Sequence, residues 1–170
     1  MANQVFDTAR TLLALRQYED RPVPPEVIRR VVEAGRFTAS AMNGQPWHFV
    51  VVRDRARLAT LGKLVRTGPY IAQAAFAIVV GNAKKDMYGV SDCSRAIQTM
   101  LLTAWAEGVG SNWTGFGGLD AVRSEVGLPE GYDVLAVLPF GYPARSVKGI
   151  KKRKPLAQVA SAERFGTPFA

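Results

Sequence analysis

The side chains in this sequence that could do chemistry are mainly neutral hydrogen-bonding groups and cations on predicted loops. They are Ser40, Asn43, Gln45, the glycine-rich turn at residues 113–118, Lys151 and Arg153. Such groups hydrogen-bond a ligand or offset its negative charge, and none of them is an activated nucleophile by itself. A set of this kind is typical of a site for a cofactor that supplies its own reactivity. Turn formation selects the same residue types, so a purely structural role for the set is the alternative.

Other catalytic candidates are few, because the chain has one histidine, His48, and one cysteine, Cys93. A zinc site takes several Cys or His ligands, so zinc chemistry is excluded. Cys93 has no second thiol for a disulfide, and we predict that it is buried and that His48 is structural. Gly108 and Gly110 follow a helix pattern and lack the third glycine of a dinucleotide-binding fingerprint.

The elements that must position these side chains are predicted from the spacing of apolar residues. Helices are expected at residues 5–16, 24–35, 54–64 and 91–107, with a short helix capped by Asp120. Continuous apolar runs predict strands at residues 47–52, 75–80 and 133–138. Two helices followed by strands that alternate with helices favour an α+β fold over a regular βαβ series.

Length and composition indicate one domain over residues 1–170, since 48% of the residues are hydrophobic and no repeat or shift in composition divides the chain. No apolar run approaches the ~20 residues that span a bilayer, so we predict no membrane association. The N-terminal segment carries no secretion signal, and we expect a cytoplasmic protein. Residues 144–170 have too few apolar side chains for a core of their own, so they must lie on another surface.

The formal net charge of +8 raises the question of a polyanionic partner. The densest basic run extends from Lys148 to Lys154, and the other basic residues are scattered among acidic ones. No alternation of aromatic and basic residues accompanies the run, and no recognition-helix pattern is present, so we predict no nucleic-acid binding. The charge instead favours a smaller anionic ligand.

Several segments, in the same order along the chain, resemble the nitroreductase family. The most specific is Ser40-Ala-Met-Asn-Gly-Gln-Pro-Trp47, which leads into the predicted strand at residues 49–52. The others are residues 16–24, with the family's arginine, aromatic and Pro-Val-Pro opening, and residues 31–36, 98–104, 108–113, 141–143 and 151–155. The resemblance covers nearly the whole chain, from Arg16 to Gly166.

The resemblance implies an α+β sandwich with a central, mainly antiparallel sheet flanked by helices. It also implies a homodimer with FMN at the subunit interface, in which residues 144–170 form a C-terminal tail that packs on the partner subunit. The implied activity is that of an oxidoreductase. Hydride would pass from NAD(P)H through FMN to a nitroaromatic, quinone or similar conjugated acceptor by a ping-pong mechanism.

The resemblance also assigns cofactor-binding residues by their positions in the matching motifs. They are Ser40, Asn43 and Gln45 in the loop that reaches the flavin, Trp113, Thr114 and Gly115 in the turn beside its ring, and Arg16, Lys151 and Arg153 at its phosphate. Arginine suits a phosphate by fork-like hydrogen bonding, and lysine suits it as a compact charge. No residue is assigned to the chemical step itself, because the flavin carries that step.

The chain departs from the family pattern in its N-terminal phosphate motif. Leu12-Leu13-Ala14 stands where the family commonly carries Arg-Arg-Ser, and Ala39 replaces a proline before the Ser40 position. The alternatives are therefore a flavin-binding protein without turnover, or a family member that uses a deazaflavin or acts on enones or halogenated aromatics.

Overall fold

A four-stranded sheet forms the centre of the protein in a computed structural model that describes residues 3–83, 88–147, 149 and 151–169. In spatial order its strands are β1 (Trp47–Val52), β2 (Phe76–Ala83), β4 (Tyr132–Gly141) and β3 (Gly110–Ser111). Each neighbouring pair of strands is antiparallel. The predicted α+β fold, with a mainly antiparallel sheet flanked by helices, is confirmed.

Helices cover both faces of the sheet. They are α1 (Gln4–Thr11), α2 (Pro25–Arg36), α3 (Arg55–Leu64), α4 (Gly89–Ala106) and α5 (Asp120–Glu125), with 3₁₀ turns at Ala41–Asn43, Pro69–Gln73 and Leu156–Gln158. Because strand side chains alternate between faces, Ile78 of β2 packs with α2 and α4, whereas Val79 packs with α3 and α5. The sheet therefore separates two apolar clusters.

The starts of three helices follow from local chemistry, with one correction. Pro25 opens α2, since proline is tolerated in a first helical turn. Asp54 is the N-cap of α3 and accepts a hydrogen bond from the Arg57 amide at 2.9 Å, as predicted. Asp120 is not a cap, because it is the first residue of α5 and the N-cap position is Leu119, which makes no side-chain bond. Its negative charge in the first turn still stabilises the helix by interacting favourably with the helix dipole.

The first helix is shorter than predicted. It ends at Thr11, and the extended segment that follows bridges β3 at Ala14 and the residue Pro143 at Tyr18. The Leu15 amide donates to the Ser111 carbonyl at 2.9 Å. Backbone hydrogen bonding explains the difference, because this segment pairs with an otherwise open strand edge, and that pairing overrides the helical spacing of its apolar residues.

The C-terminal tail forms a 3₁₀ turn and a small loop in which Ser161 and Pro168 form a bridge. Its apolar residues Leu156, Val159 and Phe165 are exposed by 62%, 64% and 104%. The packing of this tail on a partner subunit stays a prediction. Within the described residues, no helix combines the length and the apolar character needed to cross a membrane.

Candidate functional site

Arg16 lines an open cleft beyond the end of β4. The cleft has a volume of about 520 Å³ and lies between residues 14–17 and residues 143–147. A backbone bridge between Tyr18 and Pro143 joins the two segments. Residues 14–16, which the sequence predicts as the end of the first helix, thus form part of one wall of the cleft.

The charged side chains that line this cleft are both cationic. They are Arg16 and Arg145, and the lining contains no carboxylate. Neither arginine forms an ion pair within the part of the chain that the structure describes. No sequence motif indicated Arg145, which follows the matched residues 141–143. The cleft is chemically suited to an anion.

A tyrosine connects Arg16 to the glycine-rich turn. The Arg16 guanidinium carbon lies 5.9 Å from the centre of the Tyr70 ring. The Tyr70 hydroxyl is 2.9 Å from Thr114 Oγ1 and accepts a hydrogen bond from the Asn112 side-chain nitrogen. The structure therefore brings Arg16 and the turn at residues 113–115 together.

The turn itself is held against β4. Thr114 exchanges two backbone hydrogen bonds with Val137, of 3.1 and 2.9 Å. Trp113 Nε1 donates to the Gly115 carbonyl at 2.8 Å, which fixes the indole beside the turn. Gly115 has a φ of +72°, in the left-handed region where a side chain would be strained. A Cβ at this position would also meet Leu119 Cδ1 at 2.9 Å, so glycine is needed for packing as well.

Tyr18 is a buried phenol close to Arg16 and Tyr70. Its hydroxyl donates to the Leu15 carbonyl at 2.9 Å. Burial raises the pKa of Tyr18, the nearby Tyr70 raises this pKa further, and Arg16 opposes the shift. The phenol is therefore neutral and serves as a structural donor. The sequence marked Tyr18 only as the aromatic residue of the matched opening at residues 16–24, and gave it no role. It did not indicate Tyr70, which follows the predicted turn at residues 68–69.

The loop that carries Ser40, Asn43 and Gln45 is folded tightly by its own side chains. Ser40 Oγ accepts a hydrogen bond from the Gln45 amide at 3.0 Å. The Gln45 side-chain nitrogen lies 3.2 Å from both the backbone and the side-chain oxygen of Asn43. Met42, Asn43 and Gln45 have φ values of 50°, 55° and 47°, which are disfavoured for residues other than glycine. The surrounding structure must hold the loop in this conformation.

A buried carboxylate on α4 helps to hold the loop at residues 40–45 in place. Asp92 has no exposed surface, and its Oδ2 accepts a hydrogen bond from the Ala41 amide at 3.1 Å. Its Oδ1 pairs with Arg95. The hydroxyls of Thr38 and Thr99 meet at 3.1 Å. The loop is thus anchored to a rigid helix, which positions its polar side chains before any ligand arrives.

Within one chain, the loop and the cleft lie at opposite ends of the sheet. Residues 40–45 lead into β1, and the Pro46 carbonyl accepts a hydrogen bond from the Ala83 amide at 2.9 Å. Ala83 pairs with Tyr132 at the start of β4, whereas the cleft lies beyond the other end of that strand. At about 3.4 Å per residue, β4 separates them by roughly 30 Å.

Lys151 and Arg153 lie beside the end of α1. Lys151 Nζ donates to the Ala9 carbonyl at 2.5 Å. Burial lowers the pKa of Lys151, and the charge of Arg153 lowers it further. Arg153 is exposed and donates to the Lys152 carbonyl at 2.9 Å. The structure places the two cations near each other and outside the cleft lining, and Lys148 lies outside the described residues.

His48 and Cys93 lie outside these groups. Cys93 is buried, as predicted, whereas His48 is exposed on β1 with its ring 6.0 Å from that of Tyr132. In the part of the chain that the structure describes, no group of three or more His, Cys, Asp and Glu side chains could hold a metal ion.

A family model described as the nitroreductase family matches residues 13–69 and 66–142. The chain belongs to the nitroreductase family. This nitroreductase chain is 38% identical, over 143 residues, to an Archaeoglobus fulgidus protein provisionally named NADH dehydrogenase/NAD(P)H nitroreductase, covering 78% of this chain and 82% of that protein.

Solved structures share the fold of this nitroreductase chain. A Bacteroides thetaiotaomicron protein of the same provisional name superposes with a TM-score of 0.89 at 32% identity, covering 97% of this chain and 100% of the other. An FMN-dependent nitroreductase from Clostridium difficile superposes with a TM-score of 0.87 at 23% identity, covering 94% and 99%. At that lower identity the match concerns the fold.

Proposed function

We propose that this chain is an FMN-dependent oxidoreductase that transfers hydride from NAD(P)H to a nitroaromatic, quinone or similar conjugated acceptor. The observation that carries the proposal is the cationic cleft at Arg16, which Tyr70 joins to the glycine-rich turn at residues 113–115. Family membership supports the class of reaction, and the Clostridium difficile protein of the same fold is FMN-dependent. When bound, FMN supplies the hydride chemistry, and the chain binds and orients the reactants.

The residues present fit the parts of FMN. The cleft offers Arg16 and Arg145 to a phosphate, with no carboxylate in its lining to repel it. The left-handed φ of Gly115 shapes the turn at residues 113–115, which would lie beside the flavin ring. Asn43 and Gln45 can each donate and accept hydrogen bonds, which suits the alternating groups on the pyrimidine edge of a flavin.

One complete site requires two chains in this proposal. The cleft and the loop at residues 40–45 are roughly 30 Å apart along β4, which exceeds the length of an FMN molecule. One chain therefore supplies Arg16 and the turn at residues 113–115, and its partner supplies the loop. Val5 and Phe6, exposed by 73% and 64% on α1, offer apolar surface for such an interface. An obligate interface of this kind should bury more than about 2,000 Å².

In this proposal NAD(P)H and the acceptor would bind in turn at the same face of the flavin. NAD(P)H would then have to leave before the acceptor binds, so initial rates should show ping-pong kinetics. A flavin-binding protein without turnover is the alternative from a different class, and the Leu12-Leu13-Ala14 sequence in place of a basic motif is the observation that favours it.

An absorbance spectrum of the purified protein tests the proposal. Flavin bands near ~450 nm that bleach when NADH or NADPH is added without oxygen would support it. Bands that persist would support a flavin carrier. A protein that shows no such bands, even after incubation with FMN, would contradict the proposed function.

Replacing Asn43 with alanine is expected to weaken flavin binding roughly 2- to 10-fold, since each lost hydrogen bond contributes about 0.5–1.5 kcal/mol. FMN and riboflavin should be affected alike, because the loop is distant from the proposed phosphate site within its own chain and faces the ring from the partner. Fluorescence titration of both flavins measures the effect. A large fall in the melting temperature of the flavin-free variant would instead assign Asn43 a turn-forming role.

Removing the end of the tail, residues 156–170, is expected to weaken both assembly and flavin retention. A chain that stops after Pro155 lacks the exposed Leu156, Val159 and Phe165 but keeps the cleft and both tail cations. Light scattering should show monomers, and the isolated protein should hold less flavin than the full chain. A shortened protein that remains a yellow dimer would show that residues 156–170 do not hold the partner subunit.

A further inference from the structure

The loop at residues 40–45 holds a strained conformation that its own contacts do not fix in place. Met42, Asn43 and Gln45 have φ values of 50°, 55° and 47°. A residue other than glycine in this region costs free energy and persists only where its surroundings impose it. The bonds among Ser40, Asn43 and Gln45 close the loop on itself but do not attach it to the rest of the fold. A contact from outside the loop must therefore select this conformation.

Within the residues that the structure describes, one hydrogen bond ties this loop to another element. It runs from the Ala41 amide to Asp92 Oδ2 over 3.1 Å. The other hydrogen bonds of residues 40–45 are internal, and the next attachment along the chain is the Pro46 carbonyl at the end of β2. Ala41 is the first residue of the 3₁₀ turn that contains the strained residues, so its attachment sets where they lie.

Asp92 is suited to this task because its carboxylate is held rigidly and needs the bond itself. Its side chain has no exposed surface, and it lies in the first turn of α4, whose inner face is buried in the core. A buried carboxylate is costly unless its oxygens are paired. Its Oδ1 pairs with Arg95, and its Oδ2 accepts the Ala41 amide. Departure of the loop would leave Oδ2 without that donor, so the carboxylate and the loop stabilise each other.

We infer that Asp92 is a positioning residue of the flavin site, which holds residues 40–45 in the binding conformation before the flavin arrives. Because it is fully buried, Asp92 acts through the Ala41 amide without touching the ligand. That the ligand is a flavin rests on the proposed function, whereas the hold on the loop rests on the contacts of Asp92. The competing role is a local one, in which an acidic residue in a first helical turn only stabilises α4 through the helix dipole.

The expected effect is on the rate of flavin binding. A loop released from Asp92 would adopt the binding conformation for only a fraction of the time, and the apparent affinity falls by that fraction. Asp92→Ala should therefore lower the association rate constant of FMN by about tenfold or more, the scale of one hydrogen bond to a charged group. The dissociation rate constant should change by less than about twofold, because the bound loop makes the same contacts. Stopped-flow fluorescence of the full chain, freed of flavin, measures both constants.

Two further variants separate positioning from helix stability. Asp92→Asn keeps an oxygen that can accept the Ala41 amide, so its association rate constant should stay within about threefold of wild type. A helix-dipole role requires the charge, and Asp92→Asn would then bind as slowly as Asp92→Ala. Ser94→Ala is the matched control, since it removes a bond within α4, from Ser94 Oγ to the Val90 carbonyl at 2.6 Å, and should change neither constant.

Amide hydrogen exchange tests the anchor without any flavin. In the flavin-free wild-type protein the Ala41 amide should exchange at least about tenfold more slowly than an unbonded amide. Asp92→Ala should remove this protection and leave that of the buried Met100 in the middle of α4 unchanged. If Ala41 is protected in this way but the wild-type protein binds no flavin, Asp92 still positions the loop and the FMN function is wrong.

Several outcomes would overturn the inference. They are free exchange of the Ala41 amide in the wild-type protein, normal association in Asp92→Ala, and faster dissociation with unchanged association. Loss of Met100 protection in Asp92→Ala would assign Asp92 to helix stability instead. If Asp92→Ala does not fold, Asp92→Asn decides: its association rate must follow the protection of its Ala41 amide, and a departure in either direction overturns the inference.

Discussion

Truncating Phe140 to alanine is expected to lower the free energy of unfolding by about 3–5 kcal/mol. Phe140 is fully buried on β4, and its ring stacks on Phe76 with centroids 4.7 Å apart and planes at 5°. The two rings bridge the central strands β2 and β4, where Phe76 and Phe140 are partners in register. Strands fixed by a hydrogen-bonded ladder cannot close around the space that the ring leaves, so a cavity persists.

Urea denaturation of the flavin-free protein at one fixed protein concentration measures this loss. Phe37→Ala is the matched control, because Phe37 is 73% exposed and its ring meets the Arg36 guanidinium at 4.1 Å. This control should cost no more than about 1 kcal/mol. Similar losses for the two variants would contradict the packing of the central strands.

Loss of the Arg153 side chain is expected to weaken FMN binding by roughly 10- to 100-fold, since charge-assisted hydrogen bonds contribute about 1.5–3 kcal/mol each. Riboflavin lacks the phosphate and should lose far less. Arg153 lies outside the cleft lining, so this role requires its side chain to turn toward the bound phosphate. It is free to do so, because it is exposed and bonded only to the neighbouring Lys152 carbonyl among the described contacts. Lys151 lies beside it and would add a second charge from the tail.

Titration of both flavins against Arg153→Ala measures the change in preference for FMN. Arg164→Ala serves as the control, since Arg164 is an exposed arginine of the same tail outside the matched motif. If FMN and riboflavin lose equally in Arg153→Ala, this arginine does not hold the phosphate, and the basic run is a solvated surface.

Local patterns in the sequence predict the strands and most helices well. Trp47–Val52 is an unbroken apolar run, and the strand has those bounds. Pro25 and Asp54 are strong start signals because their chemistry acts within one helical turn. Burial of Cys93 agrees with the usual burial of a cysteine that has no second thiol to pair with.

The parts of the site that the sequence did not predict depend on contacts between distant residues. Tyr70 meets Thr114 across 44 positions, and Ala41 meets Asp92 across 51. No local spacing carries information on such pairs, because they exist only once the helices and the sheet have packed. The same holds for Arg145, because the opposite wall of its cleft, residues 14–17, lies far away in the sequence.

The segment that follows α1 also determines how the protein behaves in solution. Its backbone covers the edge of β3 through the Leu15 amide and Ser111 carbonyl, and a bare strand edge is a template for pairing with other molecules. Deleting residues up to Tyr18 would therefore promote aggregation as well as remove Arg16. If such a deletion leaves a colourless soluble fraction, the cause would be precipitation of the protein and not a loss of flavin affinity. Arg16→Ala leaves the edge of β3 covered, so it isolates the effect of the arginine charge on flavin binding.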